Sequence, residues 1–174
     1  PQSAEHRALY AVARDRYDEA IREGAAAVPA LIAALVLFGK RDRAAQSLSR
    51  IGADAVEALV QQLSAPDYCV REAAAQALGR IGADAIEPLM AEYQTISDPM
   101  QRSFILYALS KIKSPKILRA VPFALESVLS SDHELRDTAI RALGKFIESI
   151  PPAALPEDMR QRFLEIFQKH LTDP

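Results

Sequence analysis

Apolar residues recur along the chain at the spacing of one helical face, and the same arrangement returns about every 30 residues. Residues 52–81 and 82–112 agree in residue class along nearly their whole length. A shorter copy occupies residues 24–51 and a longer one occupies residues 113–149. Because self-similarity at a fixed period of roughly 20–50 residues is the signature of repeat arrays, the chain is predicted to consist of four stacked units.

Each unit is predicted to form two helices, A and then B, joined by a short turn. Helix A places apolar residues at i, i+3, i+4 and i+7, the pattern of a helix with one buried face. Those residues are Val28, Leu31, Ile32 and Leu35, then Val56, Leu59, Val60 and Leu63, then Ile86, Leu89, Met90 and Tyr93, with Val121, Leu125 and Val128 in the last unit. Asp54 and Asp84 are predicted to cap the starts of their A helices, and Gly52 and Gly82 to end the preceding B helices.

The second unit, GADAVEALVQQLSAPDYCVREAAAQALGRI, has a turn with Asp67, then Arg71, an alanine-rich helix and the ending ALGRIG. These features resemble the HEAT-like repeat of the phycobilisome-lyase type, and the likeness extends over about 24–147. The resemblance implies an all-α fold, an α-solenoid or α-α superhelix of about four HEAT-like helical hairpins. It also implies that the A helices form the convex surface and the B helices the concave one.

The ends of such an array need covering helices, and both termini offer one. Residues 4–23 are predicted to form an N-terminal capping helix, and residues 157–171 a C-terminal one. The apolar side of the second helix consists of Met159, Phe163, Ile166, Phe167 and Leu171. Residues 1–174 are therefore interpreted as a single HEAT-like repeat domain, which is compatible with a whole protein or with part of a longer array.

The composition supports the helical prediction and makes two classes of function less favoured, nucleic-acid binding and membrane spanning. The chain has 31 alanines against 6 glycines, so the helices are predicted to pack closely through small side chains. A net charge of −2 makes nucleic acid an unlikely main partner. The longest apolar stretch, residues 25–38, is too short to span a membrane. A single cysteine, Cys69, and the lack of a visible signal peptide favour a cytoplasmic location.

Two columns of charge appear when the B helices are superposed. Arg41, Arg71, Arg102 and Arg136 share one position, and Asp67, Asp98 and Asp132 stand four residues before the last three. By analogy with HEAT repeats, these residues are predicted to form a structural ladder of charge-assisted bonds across neighbouring repeats. The alternative is an anion-binding row of arginines.

A second set of B-helix residues makes a candidate partner-binding surface. One position near the helix ends is always basic, and the residues one turn earlier are polar or aromatic. The candidates are Gln46, Arg50, Gln76, Arg80, Phe104, Tyr107, Lys111, Arg141 and Lys145. The basic stripe could follow an acidic partner or a phosphate backbone, but cations at helix C-termini also simply complement the helix dipole. Phe104 is equally compatible with packing, and Tyr68 is interpreted as a turn residue.

No catalytic constellation can be assembled from the sequence. His6, His133 and His170 are scattered, and no metal-ligand or nucleophile spacing occurs within one repeat, so neither a metal nor a cofactor is expected. The leading prediction is a non-catalytic scaffold or accessory module that holds another protein on its concave B-helix face. The resemblance leaves a phycobilin lyase, or another chromophore-handling protein associated with phycobiliproteins, as the alternative. Nucleic-acid binding through the Arg/Lys stripe is the weaker one.

Overall fold

The computed structural model describes the backbone of residues 3–172 and the side chains of residues 3–168. Within those bounds the secondary structure is helical and contains no strand. The α-helices are α1 (Ala4–Ala13), α2 (Tyr17–Arg22), α3 (Val28–Ala34), α4 (Arg41–Ile51), α5 (Val56–Gln62), α6 (Tyr68–Ile81), α7 (Ile86–Thr95), α8 (Pro99–Lys111), α9 (Val121–Ser127), α10 (His133–Ser149) and α11 (Glu157–Thr172). In this part of the chain no helix combines the length and apolar character that a bilayer crossing requires.

The helices stack as antiparallel pairs in two layers, which confirms the all-α solenoid. The A helices are α3, α5, α7 and α9, and their B partners are α4, α6, α8 and α10. The B helices pack side by side in chain order more extensively than the A helices do.

The helical face predicted for helix A forms the core between the two layers. Most of its residues are buried, and Ile32, Met90 and Val128 are partly buried against the rest. Helix α6 contributes alanines to the same core, including Ala74, Ala75 and Ala77. Small side chains at these positions allow the neighbouring helices to approach closely, so the high alanine content is explained by packing between repeats.

The helix boundaries correct one prediction and agree with another. Asp54 and Asp84 do not cap A helices, because short 3-10 turns at 52–55 and 83–85 precede α5 and α7 and contain both residues. Ala55 is the N-cap residue of α5 and makes no side-chain capping bond. Gly52 and Gly82 do end the B helices before them, with φ of 81° and 86°. Only glycine adopts this backbone conformation without strain.

The position of Gly79 shows how closely two B helices approach. A Cβ atom added at Gly79 would overlap Cβ of Lys111 on α8 and lie 3.3 Å from the backbone carbonyl carbon and oxygen of that residue. Ser110 and Gly144 hold the equivalent position in the next two units. Gly144 is different, because no heavy atom lies within 4 Å of its added Cβ.

The N-terminal segment differs from the prediction. Residues 4–23 form two helices rather than one, because Asp15 adopts a positive φ of 60° and breaks the chain between α1 and α2. Helix α1 packs beside α3 and α2 packs beside α4, so the segment is a further hairpin of the stack. The Lys40 ammonium fixes the break by donating to the Val12 and Ala13 carbonyls, both at 3.0 Å, and to Asp15 Oδ1 at 2.9 Å.

The C-terminal helix α11 follows α10 and lies next to α9, so it occupies the A layer. Phe163 is buried, and its ring stacks on Phe167 with centroids 6.3 Å apart. Met159 and Ile166 are partly buried on the same side, as the sequence predicts. The side chains of His170 and Leu171 lie outside the described residues.

Candidate protein-binding face

The arginines that share one position in the B helices donate hydrogen bonds to backbone carbonyls in the turn of their own unit. Arg41 Nε donates to the Leu35 carbonyl and Arg102 Nε to the Ile96 carbonyl, each at 2.7 Å. Arg71 Nη1 donates to two carbonyls of the preceding turn at 2.6 and 2.9 Å, and Arg136 Nη1 does so at 2.9 Å to both. The guanidinium groups therefore satisfy carbonyls at the end of helix A that would otherwise lack a partner.

The aspartates of the predicted ladder are N-cap residues. Their carboxylates each accept a backbone N–H of the following B helix at 2.8 Å. These residues are Asp67, Asp98 and Asp132. N-caps of this kind typically stabilise a helix by about 1 kcal/mol.

Only one bond of the predicted ladder is present among the described residues. Arg41 Nη2 reaches Asp67 of the next repeat at 3.2 Å, and the corresponding pairs in later repeats are not formed. Arg71 instead places its guanidinium carbon 4.6 Å from the centre of the Phe104 ring. The ladder prediction is therefore wrong beyond its first rung. Arg71 contacts the turn carbonyls and the Phe104 ring instead of Asp98.

The residues predicted to bind a partner fall into two groups by exposure. Seven polar and charged ones are exposed on the B layer: Gln46, Arg50, Gln76, Arg80, Lys111, Arg141 and Lys145. The two aromatic ones, Phe104 and Tyr107, are half-buried against the core. The predicted partner-binding surface is therefore mainly polar, and its two aromatic residues expose only part of their side chains to solvent.

The basic stripe is divided by local pairing. Arg50 binds Asp18 of α2 at 2.6 Å, and Lys145 binds Glu148 of its own helix at 2.9 Å. Arg141 Nη2 donates to Thr138 Oγ1 at 3.4 Å. In the part of the chain that the structure describes, Arg80 has no ion pair of this kind. Of the four cations in the stripe, the outer two, Arg50 and Lys145, are thus paired with carboxylates, and the inner two, Arg80 and Lys111, have no such pair among the described residues.

A shallow depression of about 470 Å³ lies at that point, between the ends of α6 and α8. It is lined by Gln76, Gly79, Arg80, Gly82, Lys111 and Lys113, and we call it the basic groove. The absence of a side chain at Gly79 leaves its floor open. Sequence reasoning missed Lys113 because that residue follows helix B and falls outside the repeat register. A second lysine two residues after the column at Lys111 was the available signal.

Aromatic rings extend from this region along the B layer. Tyr68 meets Phe104 edge-on with ring centroids 5.7 Å apart, and Phe104 meets Tyr107 at 6.4 Å. The ammonium of Lys111 lies 4.4 Å from the Tyr107 ring centre, so a cation–π contact joins the aromatic cluster to the basic groove. Tyr68, which was expected only as a turn residue, belongs to this cluster and has 58% of its surface exposed.

Residues 28–99 match the family model of HEAT repeats. The chain therefore contains HEAT-like repeats. The matched residues run from the first A helix to the start of the third B helix and thus include Gly79 and Arg80 of the basic groove. The match does not extend to the phycobilisome-lyase type. No curated protein matches the chain.

Two carboxylates of the N-terminal hairpin have a lowered pKa. The hydrogen bond from Lys40 lowers the pKa of Asp15, and the one from Arg7 lowers the pKa of Glu23. Both are ion pairs that hold helices together. Within the described residues no group of three or more His, Cys, Asp and Glu side chains could hold a metal ion.

Proposed function

We propose that this protein is a non-catalytic interaction module that binds another protein on its B-helix face, at the basic groove and the adjoining aromatic cluster. HEAT repeats are commonly protein-interaction scaffolds. The observation that carries the proposal is that Arg80 and Lys111 line one groove and that Lys111 also lies against the Tyr107 ring, since arginine and tyrosine are enriched among binding hot spots.

The charge of the groove defines the partner. Arg80, Lys111 and Lys113 lie on one depression, whereas the neighbouring cations are paired with carboxylates. A partner with Asp or Glu side chains would be steered toward the groove, and the rings next to it supply apolar contact area. The proposed partner surface is therefore acidic and carries at least one apolar side chain.

The test is affinity capture by the full chain, compared with a charge-reversed variant. Tyr107→Ala with Arg80→Glu and Lys111→Glu removes the ring and inverts the groove. The matched control also removes one tyrosine ring and reverses two positive charges, but in the A layer and its ends: Tyr10→Ala with Arg14→Glu and Arg162→Glu. Arg14 lies 4.5 Å over the Tyr10 ring, so the control breaks an equivalent cation–π contact. We expect the groove variant to lose the captured protein and the control variant to retain it.

Tyr107 is partly buried, so a second variant, Arg80→Glu with Lys111→Glu, keeps the ring and protects the fold. Circular dichroism and thermal melting establish that each variant is folded. If the folded double variant captures the same proteins as the parent in equal amount, the proposed surface is wrong.

Two other kinds of ligand are each tested by a separate experiment. A phosphate backbone could also bind three cations, and it would give a gel shift whose affinity falls steeply with salt. The tetrapyrrole alternative drawn from the resemblance predicts changed absorbance or adduct formation on co-expression with bilin and a phycobiliprotein. Either result would replace the proposed protein partner.

A further inference from the structure

The basic groove carries positive charge that no carboxylate balances. Its cations are Arg80, Lys111 and Lys113, which are all exposed, and its other lining residues are one glutamine and two glycines. None of these cations forms an ion pair within the part of the chain that the structure describes. By contrast, the cations at the same register position in α4 and α10, Arg50 and Lys145, are each paired with a carboxylate.

The acidic residues that neighbour the groove along the chain do not line it. Glu72 accepts a hydrogen bond from Gln76 at 3.3 Å, but it stands eight residues before Arg80, which is about 12 Å along a helix axis. Asp84 is exposed in the 3-10 turn that follows α6. Lys116, which follows the groove in the chain, is a further exposed cation. The cations of this neighbourhood therefore outnumber its carboxylates.

The size of the charge indicates which anion fits the groove. The C-terminal ends of α6 and α8 both lie there, and a helix C-terminus carries about −0.5 charge from its unsatisfied carbonyls. The two helix ends offset about one of the three positive charges, which leaves about two. A carboxylate would neutralise one of these, whereas a phosphorylated side chain carries about −1.5 to −2 at pH 7. The charge of the groove therefore matches a phosphate dianion better than an Asp or Glu side chain.

The donors of the groove also suit a phosphate. Arg80 supplies a planar fork from α6, Lys111 supplies an ammonium from the end of α8, and Lys113 supplies another from the segment after it. A phosphate presents three strong acceptor oxygens, one for each of these groups, whereas a carboxylate presents two. The Lys111 ammonium is positioned by its cation–π contact with the Tyr107 ring, and Gly79 has no side chain to fill the groove.

We propose that the basic groove binds a phosphorylated serine or threonine side chain of the partner protein, so that phosphorylation of the partner promotes the complex. This inference rests on the proposed function, because it names the group that the groove recognises on the partner. A single phosphate is favoured over a nucleic-acid backbone, since Arg50 and Lys145, which would extend the stripe, are engaged with carboxylates. Recognition of phosphorylated segments by clustered cations is a general mode of peptide binding.

The probe is a fluorescently labelled peptide, Gly-Leu-Gly-Ser-Gly-Leu-Gly, made with phosphoserine, serine or glutamate at its centre. Each form is titrated into the full chain and followed by fluorescence anisotropy. We expect the phosphorylated form to bind saturably and about tenfold more tightly than the glutamate form, because it makes more charge-assisted hydrogen bonds. The serine form should not bind saturably.

Variants locate the binding in the groove. Arg80→Gln with Lys111→Gln should weaken binding of the phosphorylated peptide by about tenfold or more, and Lys113→Gln should weaken it less. Both lysines and the arginine are exposed, so these changes leave the core intact. The matched control, Arg50→Gln with Lys145→Gln, removes two cations from the same register position and should bind like the parent.

Other results overturn the inference. No binding of the phosphorylated peptide, or equal binding of the phosphoserine and glutamate forms, would show that the groove does not select a phosphate. An equal loss of binding in the control variant would assign the binding to diffuse charge. Tighter binding of a single-stranded oligonucleotide than of the phosphorylated peptide would assign the groove to nucleic acid.

Phosphatase treatment of the captured partner separates this inference from the proposed function. We expect the parent chain to lose the partner once it is dephosphorylated. If the dephosphorylated partner stays on the parent chain but is lost from Arg80→Glu with Lys111→Glu, the proposed function holds and the phosphate inference is wrong. If the partner stays on both chains, the proposed function itself fails.

Discussion

Gly79 provides a direct test of how closely the B helices pack. In Gly79→Ala the new methyl group would overlap Cβ of Lys111, an atom that cannot swing away because it is attached to the α8 backbone. Helices α6 and α8 must then separate, and overpacking of this kind costs about 1–3 kcal/mol. Alanine recovers about 0.5–1 kcal/mol from its better helix propensity. The expected net loss of unfolding free energy is about 1 kcal/mol.

The same substitution at Gly144 is the control, because that residue holds the equivalent position in α10 and its added methyl group meets no atom within 4 Å. Gly144→Ala should therefore gain about 0.5–1 kcal/mol from propensity alone. The two variants should differ by about 2 kcal/mol, or about 4–8 °C in Tm for a chain of this size. Urea denaturation followed by circular dichroism measures the difference.

The reasoning is refuted if Gly79→Ala is as stable as Gly144→Ala, since the approach at Lys111 would then impose no constraint. A loss of stability in Gly144→Ala equal to that in Gly79→Ala would also contradict it, because both changes would then act through something other than local space.

Three further predictions concern the residues that hold the repeats. Arg71→Ala should lower the unfolding free energy by about 2 kcal/mol in urea denaturation, because two turn carbonyls lose a charged donor. Asp98→Ala should cost about 1 kcal/mol by removing the N-cap of α8, and Asp98→Asn should restore most of it. The Lys40 hydrogen bond lowers the pKa of Asp15 below its ordinary 3.8, so this carboxylate stabilises the fold at higher pH and the contribution disappears as pH falls through the lowered value. Hydrogen exchange in α1 should accelerate over that acidic range, and less so in Asp15→Asn.

Repeat register and the buried face of helix A could be predicted from sequence, because both depend on local periodicity. The apolar positions at Leu31, Leu59 and Leu89 are all fully buried. Gly52 and Gly82 were predictable as helix ends, since a positive φ is a strong and local requirement for glycine. Helix starts were harder to predict. Asp54 has the right residue type for an N-cap, but a 3-10 turn begins before it and shifts the start of α5.

The bonding partners of charged residues could not be predicted from their columns. Arg41 and Arg71 share a register position, yet one reaches Asp67 while the other lies against Phe104, because residue 104 is aromatic in the following unit. The break at Asp15 was also not predictable, since the residue that bonds to this segment, Lys40, is distant in sequence. The repeat register predicts the position of a residue on its helix, but its contacts depend on which residues the neighbouring repeat places beside it.

The B-helix face as the partner-binding surface is best tested by site-specific photo-crosslinking from two exposed glutamines on opposite layers, Gln76 on α6 and Gln61 on α5. A photoreactive residue at Gln76 lies at the basic groove, and the same residue at Gln61 lies in the A layer. We predict that the captured partner crosslinks from Gln76 and not from Gln61, with the crosslink lost in Arg80→Glu with Lys111→Glu. A crosslink from Gln61 alone would contradict the account.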